Sequence, residues 1–176
     1  DVNSVPQTVD VDGPNSSVQL RTVRIRYADR LLESNLRYIV SLESPDPDVV
    51  LADSLSDRIP SQFLPDIAGQ LIRNFDFGYI SLATIIRGIT VKDSSGSSEQ
   101  ILGYGVLLSG VYNLDTQNKF LFQGVYGAAI SRYITALKGK GVDLVYNPST
   151  ELFEATKSFG LLISYNHDWR SDISSA

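Results

Sequence analysis

With 176 residues, of which 43% are hydrophobic and 20% charged, and a formal net charge of −5, the chain is long enough for one domain with a sizeable core. It holds no cysteine, which removes disulfides, thiolate chemistry and cysteine-based zinc sites. Its acidic balance argues against a general nucleic-acid surface, and no apolar run approaches the roughly 20 residues of a transmembrane helix, so any crossing of a membrane falls to strands.

Asp1 carries neither an initiating methionine nor a basic-then-apolar leader, so the expectation is a mature product or an excised piece. Residues 1–17 form a polar lead-in with turn formers at Gly13-Pro14-Asn15. Val18 to Tyr27 is the first predicted strand: Val23, Ile25 and Tyr27 share one phase, with Arg24 and Arg26 on the other. Gln19 and Arg21 fall on the apolar phase, which a bulge or emergence above a membrane accommodates. After ADRLLE, short enough for a turn, Asn35 to Glu43 alternates more cleanly, with Leu36, Tyr38, Val40 and Leu42 opposing Asn35, Arg37, Ser41 and Glu43. Residues 44–63 break the alternation with prolines and aspartates and read as an acidic loop, extracellular or folded into a lumen.

Ile67–Asp76 and Tyr79–Lys92 form the next strand pair, joined near Phe77-Gly78; Leu71 and Ile72 occupy opposite phases, so the face of Arg73 stays unassigned. Residues 93–100, DSSGSSEQ, make a soluble Ser/Gly loop. The clearest signal lies between Ile101 and Gly127. Leu102, Tyr104, Val106, Leu108, Gly110, Tyr112 and Leu114 oppose the smaller Gly103, Gly105, Leu107, Ser109, Val111 and Asn113. Asp115 to Asn118 then turns the chain, and Phe120, Phe122 and Tyr126 continue the pattern. Soluble strands usually stop after about 5–6 residues, whereas a tilted membrane-crossing strand needs about 9–11. Residues 128–142 read as a loop or short helix, Asp143–Tyr146 and Glu151–Lys157 as a small pair turned at Asn147-Pro148-Ser149. In the last strand Phe159, Leu161, Ile163, Tyr165, His167 and Trp169 alternate with Gly160, Leu162, Ser164, Asn166, Asp168 and Arg170.

About eight or nine strands with long and short connections predict an all-β, antiparallel, up-and-down transmembrane β-barrel over residues 1–176. The phrases GPNSSVQLRTVRIRY (13–27), LPDIAGQLIRNFDFGYISLATIIRGI (64–89), GYGVLLSGVYNL (103–114), FQGVYGAAISRYI (122–134) and GLLISYNHDWRSDISS (160–175) resemble the DcaP-type outer-membrane porins of Gram-negative bacteria. The resemblance implies a 16-stranded, homotrimeric barrel in the lipopolysaccharide-bearing outer membrane that passes small anionic solutes such as dicarboxylates. With about half that number of strands, and ending DISSA without the terminal aromatic residue of bacterial barrels, the chain reads as a segment of such a porin.

On this reading Arg24, Arg26, Arg37 and Arg87, each opposite its strand's apolar phase, face the lumen, and Arg132 joins them from the 128–142 loop. Charge facing lipid at mid-depth costs about 2–4 kcal/mol, and guanidinium groups suit carboxylates. The competing role is structural: pairing with Glu43, Asp66 or Asp76 to brace the wall. Tyr38, Tyr104, Tyr112, Phe120, Tyr126, Tyr165 and Trp169 would form interfacial aromatic girdles.

No catalytic constellation, cofactor or nucleic-acid partner is expected. The single histidine, His167, reads as an interfacial side chain, and Ser164, His167 and Asp168 cannot form a triad because strand neighbours point to opposite faces. Asp46, Asp48 and Asp53 are a weak Ca²⁺ candidate with no EF-hand spacing. The rival architecture is a soluble all-β module, a lipocalin-like cup with the apolar phase turned inward around a ligand.

Overall fold

The computed structural model describes residues 16–18, 22–31, 35–170 and 173–175. Long alternating segments become long strands: β1 (Arg24–Arg30), β2 (Leu36–Glu43), β3 (Ile59–Ser61), β4 (Asp66–Phe75), β5 (Gly78–Lys92), β6 (Ser98–Asn113), β7 (Asn118–Ala128), β8 (Leu144–Asn147), β9 (Leu152–Ala155), β10 (Lys157–Arg170) and β11 (Ile173–Ser175). The main sheet runs β1-β2-β4-β5-β6-β7-β10-β11, every neighbouring pair antiparallel, with β3 also on β5 beyond the end of β4. β8 and β9 form a separate hairpin. The fold is an all-β antiparallel wall of the barrel type, and among the described residues the main sheet is not closed on itself.

Register sorts the side chains into two faces. Across the sheet Ile25 pairs with Leu42, Leu42 with Ile67, Ile67 with Ile86, and Ile86 with Tyr104. A second row runs Leu71, Leu82, Leu108, Gly124, Leu161. A slip of one residue in any pair would turn that strand's large apolar groups over, so the continuity of these rows fixes the register. Tyr104, Val106 and Leu108 are 41%, 45% and 46% exposed on this outer face. The apolar phase therefore looks away from the body of the molecule, the reverse of a lipocalin-like cup.

Connections divide the sheet into two ends. At one end β4–β5 and β6–β7 are joined by tight turns; that at 114–117 is held by Asp115, whose carboxylate accepts the amides of Gln117 and Asn118. The Asn118 side chain, which donates to the same carboxylate, and then those amides hold the Asp115 carboxyl below the ordinary carboxylate range. At the other end lie residues 44–65, 93–97 and 129–156. The two longest connections pack together over the inner face of β5 and β6, where Ile89, Val91, Ile101, Ala129, Leu144 and Phe153 form a buried cluster. The extra length of β5 and β6 is spent here, supporting loops.

Several expected boundaries shift. β1 begins at Arg24, while Val18 makes an isolated bridge with Ile134; residues 19–21 and the lead-in up to residue 15 lie outside the described residues. The strand runs on through Ala28-Asp29-Arg30 of the expected turn, because pairing Arg30 with Arg37 uses backbone groups that a turn would leave open. The 44–63 stretch holds a 3₁₀ turn at Asp53–Leu55 and β3, and β6 starts inside the Ser/Gly loop at Ser98. Of the expected 128–142 loop, Ala128 ends β7 and residues 129–142 are irregular, with one 3₁₀ turn at Ser131–Tyr133. β11 had no predicted counterpart. Between β3 and β4 the chain loops outward and leaves Phe63 94% exposed.

A cation on the outer face tests this sidedness. Leu108→Arg is expected to lower stability by about 2–4 kcal/mol in lipid vesicles, read from a denaturant folding titration; a cost near zero would mean Leu108 does not face hydrocarbon.

Candidate functional site: an arginine wall beside a braced loop

The inner face carries two arginine populations with different surroundings. On β1, Arg24, Arg26 and Arg30 share the phase opposite Ile25 and Tyr27, and Arg37 joins them from β2. Register sets Arg24 opposite Glu43, Arg26 opposite Ser41, and Arg30 directly opposite Arg37. Successive groups on one strand face stand about 6.8 Å apart. Arg26 and Arg37 are half-buried, Arg24 and Arg30 exposed. Arg30 is the member missed at the sequence level: its phase matches Arg24 and Arg26, but the expected turn hid it.

Arg87 is different. Its side chain is completely buried, and all five N–H groups have acceptors. Nε donates to Asp66 (3.3 Å), Nη1 to the Ala129 carbonyl (2.9 Å) and Asp143 (2.8 Å), and Nη2 to the Asp46 carbonyl (3.1 Å) and Gln62 Oε1 (3.0 Å). One guanidinium thus ties β5 to β4, to the 44–65 loop and to the 129–156 loop. Asp143 is equally saturated: besides Arg87 it accepts the Asp48 amide (2.9 Å), the Ser131 amide (2.8 Å) and the Ser131 hydroxyl (2.7 Å). The approach of Arg87 needs Gly103 on β6, where a Cβ would stand 2.6 Å from Arg87 Cγ.

Arg132 extends the same cluster. Nη1 donates to the carbonyls of Ser44 (3.2 Å) and Asp46 (2.8 Å) and lies 3.6 Å from Asp66. Tyr133 donates to Asp66 (2.6 Å), with Glu43 at 3.3 Å from the same hydroxyl, and its ring lies 5.8 Å from the Arg87 and 5.5 Å from the Arg132 guanidinium carbon. Burial, and then the bond to Asp66, push the Tyr133 phenol well above the ordinary tyrosine range, so it is a neutral donor at physiological pH. As lumen-facing anion attractors Arg87 and Arg132 are therefore corrected: neither offers an open donor face to solute, and both brace infolded loops. The bracing partner Asp66 was among those considered; Asp143 was not, because sequence alternation says nothing about which loop covers a strand.

The three candidate Ca²⁺ carboxylates do not converge. Asp48 accepts the amides of Gly139 (2.7 Å) and Gly141 (2.8 Å), two residues at φ +74° and +71°. Asp46 is exposed and 3.9 Å from Arg132, and Asp53 opens an exposed 3₁₀ turn. Among the described residues no three His, Asp or Glu side chains form a metal-binding group.

All seven predicted girdle residues lie on the outer face. Tyr38, Tyr112, Phe120, Tyr165 and Trp169 mark the short-turn end, Tyr104 and Tyr126 the long-loop end. Tyr104 and Tyr112 are separated along β6 by about 27 Å, or about 20 Å along the axis at a tilt of 35–45°. Contacts reinforce the first belt: Tyr27 with Tyr38, Phe77 with Tyr112, Phe120 with Tyr165. Arg73, unassigned from sequence, stands on the outer face beside this belt, 5.2 Å from the Phe75 ring centroid. His167 meets Trp169 edge-on at 4.5 Å, and its Nδ1 lies 2.6 Å from Asn118 Oδ1.

No protein-family model matches the chain, and no curated protein matches its sequence significantly. Among solved structures it is similar to the crystal structure of the outer membrane channel DcaP of Acinetobacter baumannii, at a TM-score of 0.78 and 14% identity over 98% of this chain and 46% of that one. At this identity the likeness establishes the fold alone, and the chain spans less than half the length of that channel.

Replacing Arg87 by methionine strands Asp143 without a buried counter-charge and leaves Asp66 only Arg132, 3.6 Å away, and a loss of about 3–5 kcal/mol is expected in equilibrium unfolding. Arg87→Lys, with three donors for five acceptors, should recover only part of it. The raised Tyr133 value gives a signed pH effect. Its contribution is complete below the unfolded value of about 10 and declines as pH rises above that, so Tyr133→Phe should flatten the stability loss between pH 10 and 11 relative to wild type.

Proposed function

We propose that the chain builds the wall of an outer-membrane channel through which small anionic solutes diffuse. The observation that carries this reading is the division of one sheet into an apolar, twice-belted outer face and an inner face bearing Arg24, Arg26, Arg30 and Arg37. Between two such faces lipid meets hydrocarbon side chains and solute meets guanidinium groups. The solved channel with this fold supports the reading.

The directly opposed Arg30 and Arg37 add to it. Like charges facing each other across a strand pair destabilise the sheet, and this placement suits a surface that receives anions. Each guanidinium is permanently ionised and matches a carboxylate in two-pronged geometry. Stepping along the row exchanges one such partner for the next, so dicarboxylates pass with no covalent step, cofactor or metal.

In this reading the short-turn end faces the periplasm and the long-loop end the exterior, as in outer-membrane barrels generally. The partners are the lipopolysaccharide-bearing bilayer and the solutes, with further copies of the chain in a homotrimer. Further strands must cover the free sides of β1 and β11, since hydrocarbon does not tolerate open strand edges.

Neutralising Arg24, Arg26 and Arg37 together to glutamine is expected to lower the anion-to-cation permeability ratio in planar bilayers by roughly two- to tenfold, with conductance retained. Unchanged reversal potentials would remove the selectivity role and leave the channel.

A further inference from the structure

The short stretch Ser16–Val18 belongs to none of the main strands, yet it is held firmly against the inner face. Ser17 is fully buried. Its hydroxyl lies 2.8 Å from that of Thr135, and its carbonyl accepts both the Thr135 amide (3.0 Å) and hydroxyl (3.1 Å). The Val18 amide donates to Gln123 Oε1 (2.8 Å), and Val18 forms an antiparallel bridge with Ile134. Ser16 donates to the Leu161 carbonyl (2.9 Å). Room for this passage comes from Gly160, where a Cβ would stand 3.2 Å from the Ser16 carbonyl oxygen and 3.3 Å from Ser16 Cβ.

Gln123 is the polar residue that sets this geometry. It is buried on the inner phase of β7, opposite Leu162 of β10, and its amide oxygen receives the strap's backbone. Val18 packs on the cluster of Val125, Ile130, Tyr133 and Ile134, with Ile85 and Leu107 beneath. Strap and 129–138 loop therefore cover the inner face of β6, β7 and β10 together. Facing the other strands, Arg24 and Arg30 remain exposed on β1.

We propose that residues 16–18 are a built-in lumenal strap which, latched by Gln123 and Thr135, confines the open passage to the arginine-bearing side of the lumen. Gln123 is thereby a selectivity-positioning residue that touches no solute. The role rests on the channel reading above. A solute in the confined passage cannot avoid the field of Arg24, Arg26, Arg30 and Arg37; with the strap released, part of the cross-section lies beyond their reach, since charges in water are screened over about 8–10 Å.

The test uses the full chain reconstituted in planar bilayers, with folding monitored by heat-modifiable gel mobility. Gln123→Leu combined with Thr135→Val removes the latch at nearly constant volume. Single-channel conductance is expected to rise roughly 1.5- to 2-fold while the anion preference falls. A second variant, Ser16→Cys with Gly160→Cys, allows a disulfide at nearly the right Cβ separation, in a chain with no other cysteine. Oxidised with copper–phenanthroline in the latch-less background, it should restore wild-type conductance and selectivity, and reduction should undo the rescue. A folded latch-less variant with unchanged conductance and selectivity would overturn the strap's role, as would failure of the cysteine pair to cross-link in folded protein. A wild type that conducts nothing while the pair still cross-links would instead sink the channel reading, and this role with it.

Discussion

The interior arrangement depends on one buried guanidinium. Arg87 meets five acceptors supplied by β4 and the two long connections, and its charge is balanced by Asp66 and Asp143 within the same enclosure. Buried ion pairs seldom add much net stability over an apolar replacement, but they are unforgiving of geometry. A saturated, planar donor set accepts one arrangement of its neighbours. That is how two long connections, otherwise rich in turn residues, hold a defined position against the sheet. The Asp48 carboxylate, bound to the Gly139 and Gly141 amides, and the Val49–Val142 bridge stitch the same two connections to each other.

The sheet itself obeys a different economy. Its outer face is ordered by hydrophobicity and register alone, and its rows of Leu, Ile and Val need only remain on one side. Its inner face mixes three tasks: a row of arginines on β1 and β2, a braced cluster at Arg87, and small residues on β6 and β7. Gly103, Gly105 and Gly127 leave space for Arg87 and Ile130, so the smaller phase of the central hairpin is a packing surface for a returning loop as well as a lumen wall.

Alternation made much of this legible. The long strands β5, β6 and β10, the face of every girdle aromatic and the inward phase of Arg24, Arg26 and Arg37 followed from a period of two, because that period is a property of the backbone. What stayed hidden depends on distant chain. Arg87 carries the same local pattern as Arg26, and only the fold of residues 129–143 decides that one is enclosed. Arg30 was lost where Ala28-Asp29 looked like a turn. Arg73 lay in a segment with apolar residues on both faces, Leu71 outside and Ile72 beneath the inner surface. The strap left no mark in its own composition, since Ser and Val suit a lead-in and a lumen equally well.

The topology also orders assembly in time. β4, β5, β6 and β7 pair in chain order over short connections, so this part of the meander can form hairpin by hairpin through short loop closures. The Arg87–Asp143 contact spans 56 positions, and Val18 to Gln123 spans 105. Contacts of such separation are entropically expensive before the strands between them exist. The inner loop and the strap must therefore dock last, onto a wall already standing, and until then the inner face of β6, β7 and β10 is uncovered.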